Sequence, residues 1–290
     1  MKANYHTHTC RCGHAEGTDE QYIRAALSQK FDVLGISDHV PYPYRSGFTN
    51  PGVRMLLSQM DEYLGSIRKL KEKYAGQMEI LAGFECEHFP QYMSWLSDMA
   101  QEKQLDYLIL GNHYDETDET GMYFGLTSTA AQLRRYVDST VKGIESGLFA
   151  YLAHPDLFLR RYRPFDENCR QAARDLAAAS AQYDLPMEYN VHDRYLAPTT
   201  NRISYPHPEF FEIAAQAGVK IIKHSLNSRV QTTSERNCQR QSLMNQRSRQ
   251  PVRILMQHPD RQEHLMQLQS PHIPQRRSRR REVPIMVQIP

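Results

Sequence analysis

Two histidines one residue apart open the chain, in Tyr5-His6-Thr7-His8-Thr9, with His14 shortly after and Ser37-Asp38-His39 further on. Side chains alternate along a strand, so the rings of His6 and His8 point to the same side and can reach one cation. Neutral imidazole is a good ligand for zinc and its relatives, and His-x-His at a strand end supplies two ligands together. Histidine serves many roles, and for this pair alone surface residues near a terminus are the competing reading. That reading weakens as further apolar runs are found to end the same way, in Gly83-Phe84-Glu85, Gly111-Asn112-His113 and Ala153-His154-Pro155-Asp156.

The elements that must carry these residues follow from periodicity. A strand is expected over 2–6. Thr18-Asp19-Glu20-Gln21 is a capping box, and the helix it opens has Tyr22, Ile23, Ala26 and Leu27 at helical spacing. The run 31–36 reads as a buried strand that delivers Ser37, Asp38 and His39. A helix is expected over 53–74, with Leu56, Met60, Leu64, Ile67 and Leu70 on one side. Strands are expected at 77–84, 105–111, 150–153, 186–190 and 219–222, and helices at 91–101, 129–146, 168–183 and 210–217. Seven strands alternating with helices place the chain in the α/β class with a parallel sheet. In a closed β/α barrel the C-terminal strand ends share one rim, where active sites are built. A doubly wound sheet would gather them along a crevice instead. No Gly-rich phosphate loop follows the first strand, which counts against its nucleotide-binding form.

A chain of 290 residues can bury a large core, as one barrel or two smaller domains. Its 40% apolar content with a single Trp is that of a soluble globular protein. No apolar run reaches membrane-spanning length, and the first residues lack the order of a signal peptide. Five cysteines without a regular framework fit a reducing, cytoplasmic setting. Cys10-Arg11-Cys12 lies between histidines and could bind metal, although free thiols beside a loop are the simpler reading. Charge is unevenly divided. From Lys223 onward 13 basic residues face four acidic ones, a net of +9, so residues 1–222 carry −7 of the chain's +2. Composition breaks at the same place: residues 224–290 contain no Gly, Ala, Phe, Tyr or Trp.

Several histidines and one or two carboxylates on one rim exceed what a single tetrahedral ion takes. They suit a cluster of two or three ions, which lowers the pKa of a bound water and neutralises charge on a phosphoryl group. Glu85 can bridge two such ions. Arg160, Arg161 and Arg194 each follow a strand end, and guanidinium forks match phosphate oxygens. A surface ion pair is an equally good account of each arginine alone. The residues therefore point to metal-assisted hydrolysis of a phosphate ester.

Taken together, these motifs resemble the polymerase and histidinol phosphatase (PHP) superfamily. Met187-Glu188-Tyr189-Asn190 and the later Tyr205-Pro206 are similar to its histidinol-phosphatase branch. The resemblance covers residues 1–222. It implies a distorted seven-stranded (β/α)7 TIM-like barrel and up to three divalent metal ions: zinc, iron or manganese. It also implies hydrolysis of L-histidinol phosphate to L-histidinol and phosphate, in histidine biosynthesis. Two alternatives are a phosphatase for another small phosphate ester, and a non-catalytic metal-binding remnant or nucleic-acid-associated module. The implied partner is a small-molecule phosphate ester; neither a membrane nor nucleic acid is expected. Position by position, the resemblance implies that His6, His8 and Glu85 bind a first metal. Glu85 bridges to a second, completed by His113 and His154, and His14 and His39 bind a third. It makes Asp38 a carboxylate that orients a ligand for catalysis and leaves Glu87 outside the ligand set. It makes Arg160 and Arg194 phosphate contacts, with Arg161 as the alternative.

The sequence departs from the family after its last strand. A Gly-x-Asp-Ala-His motif is expected there, but Ile221-Ile222 is followed by Lys223-His224-Ser225-Leu226. His224 does not match the spacing, and no Asp occurs between Asp193 and Asp260. The barrel is therefore expected to be incomplete in its last part, and metal binding and turnover to be weakened. Residues 223–290 form a basic Arg/Gln-rich tail, expected to be disordered or to result from out-of-frame translation. The latter hypothesis is tested by reading the coding DNA in all three frames for the missing motif. If the tail is genuine, Arg276-Arg277-Ser278-Arg279-Arg280-Arg281 could attract nucleic acid or acidic surfaces.

Overall fold

Four parallel strands form the sheet of the first unit, in the order β1 Ala3–Asn4, β2 Val33–His39, β3 Glu79–Cys86 and β4 Tyr107–Leu110. The computed structural model describes residues 1–191 and 205–223, together with the backbone of 230–231 and 253–254. These residues fall into two units, one over Met1–Tyr123 together with 230–231 and 253–254, and one over Phe124–Lys223.

In the first unit the connecting helices are α1 Asp19–Ser28, α2 Met60–Lys73 and α3 Met93–Glu102. The capping box forms as expected: the Thr18 hydroxyl accepts from the Gln21 N–H, and the Gln21 side chain accepts from the Thr18 N–H. Every residue of β2 is buried, consistent with a parallel strand covered on both faces. Helix α2 begins at Met60, later than its periodicity suggests. Leu56 is an extended residue whose N–H is capped by the Gln59 side chain, followed by a 3₁₀ turn over Leu57–Gln59. Leu56 and Leu57 are consequently exposed, at 43% and 47%, and the buried face runs Met60, Tyr63, Leu64, Ile67 and Leu70.

Two glycines in the sheet make room for one tyrosine. A Cβ at Gly35 would lie 2.3 Å from the Tyr107 hydroxyl, and one at Gly83 would lie 2.8 Å from the Tyr107 ring. The Tyr107 hydroxyl donates to the Tyr5 carbonyl at 2.7 Å, tying β4 to the segment that leads into His6. On the helix side, the buried Tyr63 hydroxyl lies 3.1 Å from the Ile36 carbonyl and 2.9 Å from the Gly83 carbonyl, and accepts from the Asp38 N–H. The register pairs His39 of β2 directly with Glu85 of β3.

The second unit contains α4 Ala130–Glu145, α5 Glu167–Gln182, α6 Pro208–Gln216, and the parallel pair β5 Met187–Tyr189 and β6 Ile221–Lys223. Thr129 caps α4 and Asp166 caps α5. The strand expected over 150–153 is reduced to one parallel bridge between Leu152 and Met187. Extended pairing stops there because His154 turns to a positive φ of 29°, and Pro155 after it has no N–H to offer. A two-residue antiparallel pair joins β7 Val230–Gln231 to β8 Arg253–Ile254. The α/β class with parallel pairing is thus observed, with six parallel strands among the described residues in place of the expected seven. No described helix is long and apolar enough to cross a membrane.

Candidate metal centre

Glu85 ends β3 almost fully buried, at 1% exposure, and four imidazoles of the first unit surround its carboxylate. Its Oε2 lies 3.2 Å from His6 Nε2, from His8 Nε2 and from His39 Nδ1, and its Oε1 lies 3.4 Å from His113 Nε2. His6 Nε2 and His8 Nε2 are 3.1 Å apart. Ligands held at about 2.0–2.2 Å from one ion stand about 3.0–3.5 Å from each other. The donor atoms are therefore spaced like the edges of a coordination polyhedron. His8 Nδ1 is buried and makes no hydrogen bond, and His39 Nδ1 faces Glu85 without a hydrogen bond of normal geometry, which is costly unless a further partner is present. The donor set of imidazole nitrogen and carboxylate oxygen thus fits a divalent metal.

The surrounding backbone leaves space for Glu85. A Cβ at Gly111 would fall 2.0 Å from Glu85 Oε1, so only glycine at the end of β4 permits this carboxylate position. Strand pairing continues past β1, since the Ser37 N–H donates to the Thr7 carbonyl at 2.8 Å. That keeps the His6–His8 segment beside His39.

A second layer of polar groups holds the first. Asp38 accepts from the Thr9 N–H at 2.5 Å and from the Thr9 hydroxyl, and lies 3.7 Å from His8 Nδ1. Burial raises the Asp38 pKa. Glu87 Oε1 lies 3.0 Å from His113 Nδ1 and accepts from Arg54 at 2.8 Å. Arg54 is itself buried and also donates to Asp118 at 2.9 Å and to the Val40 carbonyl at 3.0 Å. Burial acts most strongly on His113 and lowers its pKa, but Glu85 and Glu87 outweigh it, and the net direction is upward. For His39, burial dominates and holds the pKa well below the usual histidine range.

Among the residues singled out from sequence, His6, His8, His39, Glu85, His113 and Asp38 come together in the first unit. His14 stands beside them, its ring centroid 4.9 Å from that of His8 and 5.3 Å from that of His39. His154 lies buried in the second unit, its N–H donating to Glu188 at 3.0 Å. Arg160 ends a 3₁₀ turn there, and Arg160 and Arg161 are both exposed. Arg194 and His224 lie outside the described residues. Two contributors were not legible as such. Glu87, read as lying outside the ligand set, is the carboxylate that orients His113. The period-two spacing from Glu85 was its available signal. Arg54 follows Pro51-Gly52 in a loop with no periodic pattern.

A family model described as the PHP domain matches residues 4–192, which contain the gathered residues of the first unit together with His154, Arg160 and Arg161. The chain belongs to the PHP domain family. This PHP chain is 26% identical over 232 residues to the "Probable histidinol-phosphatase" of Deinococcus radiodurans, covering 75% of the chain and 82% of the relative. It is 28% identical over 127 residues to the histidinol-phosphatase of Bacillus subtilis, covering 41% of the chain and 47% of the relative. Among solved structures, a protein from Listeria monocytogenes provisionally named a histidinol phosphatase superposes with a TM-score of 0.63 at 21% identity, covering 77% of this chain and 94% of that one. The histidinol phosphate phosphatase of Lactococcus lactis, solved with zinc, L-histidinol and phosphate, gives a TM-score of 0.57 at 16% identity, covering 77% and 84%. At these identities the two structures speak for a shared fold.

Proposed function

We propose that this PHP chain is a metal-dependent phosphomonoesterase that hydrolyses L-histidinol phosphate to L-histidinol and phosphate. The observation that carries the reading is the buried ring of His6, His8, His39 and His113 around Glu85. The names of the relatives supply the substrate. Three buried carboxylates, Asp38, Glu85 and Glu87, stand in this centre beside one buried guanidinium, that of Arg54. On their own these residues would not attract a phosphate dianion. Divalent cations reverse the sign of the local field. Such ions would supply Lewis acidity toward phosphoryl oxygen and lower the pKa of a bound water.

In this reading His6, His8, His39, Glu85 and His113 are ligands, His14 adjoins them, and Asp38 orients His8 while fixing the Thr9 turn. Glu87 holds the His113 ring so that Nε2 faces the centre. The family resemblance supports the finer parts of the proposal. These are a seven-stranded barrel, as many as three ions of zinc, iron or manganese, His154 as a further ligand, and Arg160, Arg161 or Arg194 on the phosphate. It also supports residues 1–222 as the phosphatase domain and 223–290 as a separate tail. A cytoplasmic location accords with the free Cys10, Cys12, Cys86 and Cys169.

The test is a metal count on the purified full chain, with phosphate release compared between L-histidinol phosphate and an unrelated phosphomonoester such as p-nitrophenyl phosphate. Preference for histidinol phosphate at measurable metal content supports the proposal. Equal turnover of both favours a phosphatase for other small esters, and metal without turnover favours a non-catalytic remnant. Restoring Gly-x-Asp-Ala-His after Ile222 should raise both metal content and rate.

A further inference from the structure

Cys12 has no role in the centre described above, yet the chain places it with care. It is fully buried in a 3₁₀ turn over Cys10–Cys12 that leads from the strand-end histidines to His14. The Thr9 hydroxyl caps the turn, and Gly13 closes it at φ 75°, a conformation that glycine adopts without steric cost. A Cβ at Gly13 would meet the Pro51 carbonyl at 2.4 Å, so the turn packs tightly against the loop at 51–52.

This turn sets Cys12 Sγ 3.6 Å from His14 Nε2. One donor atom from each of His8, Cys12 and His14 lies within 4.8 Å of the other two. Thiolate sulfur at about 2.3 Å and imidazole nitrogen at about 2.0–2.1 Å on a tetrahedral ion stand about 3.6 Å apart. The protons are already directed elsewhere. Cys12 Sγ donates to the Thr9 carbonyl at 3.0 Å. His14 Nδ1 lies 2.8 Å from the Cys12 carbonyl, a partner that only accepts; in the tautomer with its hydrogen on Nδ1, Nε2 offers its lone pair as a ligand. His8, nine-tenths buried, has a ring nitrogen, Nδ1, without a hydrogen bond.

We propose that His8, Cys12 and His14 form a sulfur-containing cation site at the edge of the centre. It takes a borderline-soft divalent ion, zinc or iron(II), in preference to manganese or magnesium. On binding, a sulfur–metal bond forms and the thiol proton, now directed at the Thr9 carbonyl, leaves to solvent. The proposal rests on the reading that the centre binds metal. It adds a thiolate to donors that are otherwise nitrogen and oxygen.

Cobalt(II) reports sulfur ligation directly. The full chain, stripped and reloaded with cobalt(II), is expected to show a near-ultraviolet sulfur-to-cobalt charge-transfer band. Cys12→Ser should lose that band, whereas Cys10→Ser and Cys169→Ser keep it. Reloading with manganese should be the same for wild type and Cys12→Ser, while zinc affinity falls in the variant. A cobalt-loaded wild type without the band overturns the proposal whether or not the variant folds, and so does a band that survives Cys12→Ser. A chain that takes up no cobalt overturns the metal reading itself, a distinct outcome from loading without sulfur ligation.

Discussion

Protonation divides the imidazoles of the centre into two kinds. His39 is held well below the ordinary histidine range, chiefly by burial and further by neighbouring imidazoles, so it meets a metal already neutral. His113 is raised: burial lowers it, but Glu85 and Glu87 outweigh that effect, so it must release a proton to bind. Apparent metal affinity should therefore rise with pH through and above the normal histidine range, measured by calorimetric titration in buffers of different ionisation heat. The sign for the metal-free chain is opposite. A raised folded pKa contributes stability that is present below the unfolded histidine pKa and lost as pH rises through the folded value. A metal affinity flat across this window would contradict the assignment. Glu87→Gln removes the charge that orients His113 and should weaken metal binding by about 10–100-fold, read by competition with a chelator; unchanged affinity would remove Glu87 from the centre. At this scale the sequence was informative wherever residue type and strand position coincide, as for His6, His8, His39, Glu85 and His113. It was silent on Arg54, which meets Glu87 and Asp118 across loops that no periodicity connects.

Strand register and one glycine do most to shape the centre among the elements. β2 and β3 align His39 with Glu85, and β4 ends in Gly111, where any side chain would collide with Glu85 Oε1. Gly111→Ala should displace that carboxylate and abolish most metal uptake while leaving the circular dichroism spectrum nearly unchanged; full metal content in this variant would show that Glu85 is not the hub. Arg54 joins the segment after β2, through the Val40 carbonyl, to Glu87 and Asp118. Arg54→Met leaves two carboxylates without their buried cation and should cost about 3–5 kcal/mol in denaturant unfolding. A loss within the range of a surface substitution would mean the network carries little. The strands at 31–36, 77–84 and 105–111 were legible because they are short, mostly apolar runs. Two boundaries were not. Helical spacing persists through the 3₁₀ turn that leaves Leu56 and Leu57 exposed. The run at 150–153 is apolar enough for a strand, but the reversal at His154 leaves it one bridge.

Over the whole molecule, charge and composition divide the chain where the family motifs stop. The match to the PHP domain ends at residue 192, and the expected Gly-x-Asp-Ala-His is absent after Ile222. The ligands gathered in the first unit come from four strand ends and their following loops, and none of them is drawn from residues 223–290. That arrangement was readable because His39, Glu85 and His113 each sit at or just past the end of a largely apolar run, and His6 and His8 share a period-two spacing. The fate of the tail was not, because a segment without Gly, Ala or aromatic residues offers no pattern to fold against. The most direct test is inorganic phosphate released from L-histidinol phosphate by one preparation of the full chain in three states: as purified, stripped with chelator, and reloaded with zinc or manganese. Release that disappears on stripping and returns on reloading is the predicted result. Release that persists after every metal is removed, or that never occurs in the fully loaded protein, would contradict it.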